Sequence, residues 1–196
     1  FNQWVARVTE EGWLRPQGML GVFPCYRDGD DVVVLDLSDC KTELCRFDFT
    51  TVIGSGKEDT VNGAHYFRAQ DSGQLDAIGI QISSAGPDIE AQLEAFKNEG
   101  DTESTLYLQG LSDRLAEDMA TYLHAKLRDR LGLDAKAGTR WSPGYPGLVN
   151  LKNNQLIYDL LDAGGQLGVQ ITEVGEFHPT GCTAAVASFH PDARYS

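Results

Sequence analysis

Between Asp101 and Gly132 lies the feature that constrains the chain most: Leu111, Leu115, Met119, Tyr122, Leu123, Leu127 and Leu131 recur at threes and fours. That is the spacing of one face of an α-helix, sustained over roughly six turns. Asp101 opens the run and Gly132 closes it. A helix this long must lay its apolar face on another layer, so the rest of the domain has to be arranged around it. Asp113, Glu117, His124 and Arg128 line up on a different face. On helical geometry alone, Glu117 is a carboxylate on a solvated surface.

The flanking segments supply shorter elements. Residues 1–11 place Phe1, Trp4, Val5 and Val8 at helical spacing ahead of Gly12, a short amphipathic helix. The chain opens on Phe rather than Met, already inside that pattern, and is expected to be a fragment of something longer. Residues 15–18 read as a turn. Residues 19–26 and 32–37 read as strands joined through Arg27-Asp28-Gly29-Asp30, a hairpin signal. Residues 75–84, with Leu75, Ala77, Ile78, Ile80 and Ile82, read as a buried strand. Pro87 is placed as the first residue of a helix running to about Asn98 and ended by Gly100. Residues 156–161 are helical, and residues 169–177 and 183–189 are strand-like.

After the long helix comes Arg140-Trp141-Ser142-Pro143-Gly144-Tyr145-Pro146. Two prolines bracket Gly144-Tyr145 and fix the backbone path before any ligand arrives. Such a loop can hold a guanidinium for bidentate capture of a carboxylate, with a glycine for close backbone approach and a phenol for stacking. It describes half a site for an amino-acid-like molecule; a structural ion pair for Arg140 and a packed turn for Tyr145 is the plainer alternative.

Charge and cysteines exclude several classes. Lys plus Arg number 16 against 29 Asp plus Glu, a formal charge of −13, which disfavours nucleic acid and anionic membrane surfaces as partners. Cys25, Cys40, Cys45 and Cys182 lack zinc spacing and read as free thiols in a reducing, cytoplasmic compartment. No metal site is expected, and no catalytic triad, since no serine sits in a Gly-x-Ser-x-Gly elbow. His124 and His190 have no second ligand at metal spacing and are expected to make structural hydrogen bonds. His190-Pro191-Asp192 reads as a capped turn.

Three of these segments together resemble the activation domain of cobalamin-dependent methionine synthase. That family's loop reads R-x-x-P-G-Y-P, its helix L-A-E-x-x-x-x-Y-L-H, and its C-terminal end S-H-P-D-S-x-Y. Here they stand as the Arg140 loop, as Leu115-Ala116-Glu117 with Tyr122-Leu123-His124, and as Phe189-His190-Pro191-Asp192-Ala193-Arg194-Tyr195. Gly21-Val22-Phe23-Pro24 and Gly29-Asp30-Asp31 match the family's G-L-F-P and G-D-D. The likeness weakens over residues 38–74.

The resemblance implies one α/β domain of the α+β type over residues 1–196, a mainly antiparallel twisted sheet flanked by helices. It is distinct from the Rossmann methyltransferases, whose Gly-x-Gly fingerprint is missing here. The resemblance also implies an S-adenosylmethionine site made by Glu117, Arg140, Ser142, Gly144, Tyr145 and Tyr195, with Arg140 on the methionine carboxylate. A further family aspartate would precede Phe1. The implied role is to support reductive remethylation of cob(II)alamin and so to reactivate methionine synthase. Cobalamin would be held by a separate module, and a flavodoxin or equivalent would donate the electron, with Lys126, Arg128 and Arg130 as its candidate contact. No residue need act as acid or base, so the chain alone is expected to bind without turnover. A free-standing relative serving another corrinoid methyltransferase, or a binding module that has lost its ligand, remains open.

Overall fold

The computed structural model describes residues 2–49 and 62–193. Five α-helices, two short 3-10 helices and eight strands appear among them. Strands β1 (Gln17–Asp28), β2 (Asp31–Leu35), β3 (Glu43–Asp48), β4 (Asp76–Ser84), β5 (Thr139–Trp141) and β8 (Cys182–Ser188) form one sheet in the order β3-β2-β1-β4-β8-β5. Every pairing in it is antiparallel. Strands β6 (Gln170–Ile171) and β7 (Phe177–His178) make a separate small hairpin.

The expected helices are α1 (Asn2–Glu11), α2 (Ile89–Glu99), α3 (Thr102–Leu131) and α4 (Asn153–Leu161), followed by the short α5 (Ala163–Leu167). Asp101 caps α3: its carboxylate accepts from the Ser104 backbone N–H at 3.0 Å and from the Ser104 hydroxyl at 2.6 Å. Those bonds hold the Asp101 carboxyl below the usual carboxylate range. Gly132 ends the helix in the left-handed region at φ 65°, where a side chain is strained.

The two faces of the sheet are built differently, and β4 shows why. Its Ile78, Ile80 and Ile82 point into the larger core with Phe47, Phe49, Trp141, Leu148, Ile157 and Leu161. The alternate residues, Gly79, Gln81 and Ser83, meet α3. Gln81 Nε2 donates to Ala120 O and Ser83 Oγ donates to Ala116 O, both at 2.9 Å. Helix backbone carbonyls are reachable only where helix and sheet approach closely. The buried row of α3 is accordingly Ser104, Leu108, Ser112, Ala116, Ala120, Leu123, His124 and Leu127.

This corrects the expected face of the long helix. Leu111, Leu115 and Met119 are half-buried at the border, and Tyr122 and Leu131 are exposed. The small residues mark the line of closest approach, and the large ones wedge beside it. A second cluster, Val8, Ile89, Leu93, Phe96 and Leu108, ties α1 and α2 to the first turns of α3.

Other boundaries differ for local reasons. Pro87 sits in a turn ahead of α2 rather than at its first position, and Asp88 is the residue before the helix. Leu75 lies outside β4 and is exposed. β2 stops at Leu35 because Asp36 turns the chain, its carboxylate accepting from Ser38 N at 2.7 Å and its carbonyl from Cys40 N at 2.8 Å. Residues 169–177 fold back as the β6–β7 hairpin instead of running as one strand, since Gly175 at φ 90° reverses the backbone.

Candidate functional site

Five segments spread between Asp113 and Ala184 meet around a cavity of about 400 Å³. Asp113, Ala116 and Glu117 come from α3; Ser142, Pro143 and Tyr145 from the loop after β5; Leu151 from the turn before α4 and Asn154 from its first turn; Glu176 and Phe177 from the β6–β7 hairpin; and residues 181–184 from the entry to β8. The size suits a small organic ligand.

The loop after β5 is rigid for identifiable reasons. Leu148 is fully buried and anchors it, with Gly144 N donating to Leu148 O at 2.9 Å and Leu148 N to Tyr145 O at 3.0 Å. Gly144 has φ 88°, and a Cβ there would stand 3.1 Å from Leu151 Cδ1. Gly147, at φ 91°, lies against the Trp141 ring, which a Cβ would meet at 2.7 Å. The fixed path leaves Tyr145 standing out, 59% exposed, at the rim.

Arg140 points across toward α3. Its guanidinium lies 3.3 Å from Glu117 Oε2 and donates to Thr121 Oγ1 at 3.3 Å. Its position on β5 is set from behind by Arg128, which donates Nε to Ala137 O at 2.6 Å and a terminal nitrogen to Gly138 O at 3.3 Å. Gly138 has no room for a side chain, because a Cβ would fall 2.0 Å from Ser188 O. Burial, and then the charge of Arg140, lower the proton affinity of Arg128. Arg128 is therefore a half-buried strut, its guanidinium engaged with the backbone ahead of β5.

His124 stands on the buried side of α3, 6% exposed, and its Nε2 has no hydrogen-bond partner among the described residues. The expected hydrogen bond is not made by that nitrogen. Burial first, then Arg128 and Arg140, lower its pKa to about 4, so it is neutral near pH 7. His190 does form the expected capped turn: Asp192 N donates to its Nδ1 at 3.2 Å, and Ala193 N donates to its carbonyl at 3.0 Å.

Glu117, Ser142 and Tyr145 thus line the cavity, Arg140 reaches its edge through Glu117, and Gly144 shapes the loop. Tyr195 lies outside the described residues. The hairpin residues Glu176 and Phe177, with Asn154 and Cys182, join the wall with no motif to announce them. Asp113 alone was visible, one turn before Glu117 on the same helix face. The four cysteines are free, and burial raises the Cys182 thiol above its ordinary value.

The family of the vitamin B12 dependent methionine synthase activation domain matches residues 2–196. The chain belongs to that family. A methionine synthase of Mycobacterium tuberculosis (strain ATCC 25618 / H37Rv) is 24% identical over 220 aligned residues, which take in 100% of this chain. The activation-domain chain spans only 18% of that enzyme's length. Among solved structures, the crystal structure of the MetH reactivation domain bound to AdoHcy superposes with a TM-score of 0.85 at 25% identity, covering 100% of this chain and 65% of that one. The antiparallel α+β architecture is thus that of the activation domain. No helix among the described residues is long and apolar enough to cross a membrane.

Proposed function

We propose that the chain binds S-adenosylmethionine in this cavity and, as the activation domain of a longer cytoplasmic methionine synthase, presents its methyl group during reductive reactivation of the cobalamin enzyme. The observation that carries this reading is the Arg140–Glu117 pair, 3.3 Å apart, beside a cavity rimmed by Ser142 and Tyr145. A zwitterionic amino-acid end needs one cation and one anion side by side, and this pair can exchange its mutual contact for the ligand, taking the carboxylate on Arg140 and the ammonium on Glu117. Tyr145 offers a ring face for the adenine, Gly144 lets backbone approach it, and Tyr195 completes the assignment.

The described residues supply position rather than acid–base chemistry. Departure of the thioether requires no proton, so alignment of the donor methyl is the expected contribution. Cobalamin, carried on a separate module, supplies the methyl-accepting metal centre when it is docked. A flavodoxin-type donor would supply the electron, and with Arg128 bonded internally its basic contact reduces to Lys126 and Arg130. Calorimetric titration of the chain with S-adenosylmethionine tests the reading: saturable one-to-one binding is expected, and its absence would overturn it.

A further inference from the structure

Among the charged groups on the cavity wall, Glu117 faces Arg140 and Asp113 accepts Gln109 Nε2 at 2.9 Å. Glu176 is different: it lines the cavity from the β6–β7 hairpin rather than from α3, and among the described residues its carboxylate has no partner. Its backbone is nevertheless held firmly. Glu176 N donates to Thr172 Oγ1 at 3.0 Å, and Glu176 O accepts from Thr172 N at 2.9 Å. The neighbouring Gly175 is buried against Leu151, whose carbonyl a Cβ would meet at 2.6 Å, and Gly175 O accepts from Asn154 Nδ2 at 2.9 Å. A hairpin built this tightly fixes the backbone from which the Glu176 carboxylate reaches the cavity, with no cation among the described residues to neutralise it.

We infer that Glu176 is a specificity-determining residue that favours the sulfonium form of the ligand over the neutral thioether left after methyl transfer, an inference that rests on the proposed function. The two ligands share an adenosine and a zwitterionic end, so Arg140 and Glu117 treat them alike. They differ by one methyl and one positive charge on sulfur. When the methyl leaves as a cation equivalent, the sulfur keeps the bonding pair and becomes neutral. The attraction to Glu176 is lost at that moment, and the product is held less tightly than the donor.

The test compares S-adenosylmethionine and S-adenosylhomocysteine by calorimetry on the whole chain, its Glu176→Gln variant and a Glu173→Gln control in the same hairpin. Glu176 is exposed, so the expected effect is that of a solvent-screened charge: Glu176→Gln weakens S-adenosylmethionine about three- to fivefold and leaves S-adenosylhomocysteine within about twofold. The salt dependence of the preference should flatten in that variant only. Glu173→Gln should leave the ratio of the two affinities unchanged. An unchanged ratio in Glu176→Gln, or an equal change in Glu173→Gln, overturns the assignment while the proposed function stands. Wild-type chain that binds neither ligand overturns both.

Discussion

Arg140 stood out in its loop as a candidate carboxylate clamp, whereas Glu117 read on its helix as a solvated carboxylate and became a candidate only through the resemblance; nothing in the spacing of either said that they would meet, since that contact depends on how β5 packs beside β8. Their pair is partly solvated, with side-chain exposures of 24% and 54%, and such a pair contributes at most about 1 kcal/mol to folding. Arg140→Ala should therefore leave the unfolding midpoint nearly unchanged while weakening S-adenosylmethionine by about 2–5 kcal/mol, the cost of stranding a ligand carboxylate. Arg140→Lys should recover little, because an ammonium cannot make the two-pronged contact. Titration and a thermal melt on the same samples separate the outcomes; unaltered affinity would remove Arg140 from the site. His124 gives a second residue-scale prediction. Its folded pKa of about 4 lies below the ordinary 6.5, so the unfolded chain takes up the proton first. Its contribution is in place above pH 6.5 and is lost as pH falls toward 4, on the order of 1–2 kcal/mol by pH 5. Urea midpoints at pH 7.5 and 5 should show a smaller acid loss in His124→Gln than in the parent.

At the scale of the element, the long helix was legible in its limits and obscured in its orientation. Asp101 and Gly132 are local signals that act through backbone hydrogen bonds, so sequence alone places them. Which face lies inward depends on the partner surface, and here β4 offers Gly79, Gln81 and Ser83. Small helix residues let the backbones come close enough for Gln81 and Ser83 to reach the carbonyls of Ala120 and Ala116, an arrangement a hydrophobicity pattern ranks below the Leu111–Leu115 row. Ala116→Leu should accordingly destabilise the domain by about 1–3 kcal/mol, although it strengthens the apparent apolar stripe. Leu115→Ala, at the half-buried border, should cost less. Chemical denaturation of the two variants decides between the faces, and the reverse ranking would mean that α3 rests on its large residues. The β6–β7 hairpin was misread because its reversal turns on Gly175, whose need for space against Leu151 is invisible until α4 is placed.

At the scale of the whole molecule, the cavity is an assembly property. Its wall draws on α3, the loop after β5, the start of α4, the β6–β7 hairpin and the entry to β8, brought together only by the completed antiparallel sheet. No one of these pieces holds a ligand once the others are lost, so binding is to the native state and must appear as global stability. At a free ligand concentration about a hundred times the dissociation constant, linkage gives about 2.7 kcal/mol. For a chain of this size that corresponds to a rise of roughly 5–10 °C in the unfolding midpoint. S-adenosylmethionine should therefore shift the melt of the parent by about that amount, and Arg140→Ala should need far more ligand for the same shift. Adenosine alone, lacking the zwitterionic end, should give only a small rise in both proteins. A midpoint that fails to move at saturating S-adenosylmethionine would mean that the assembled cavity does not hold it, whatever the fold.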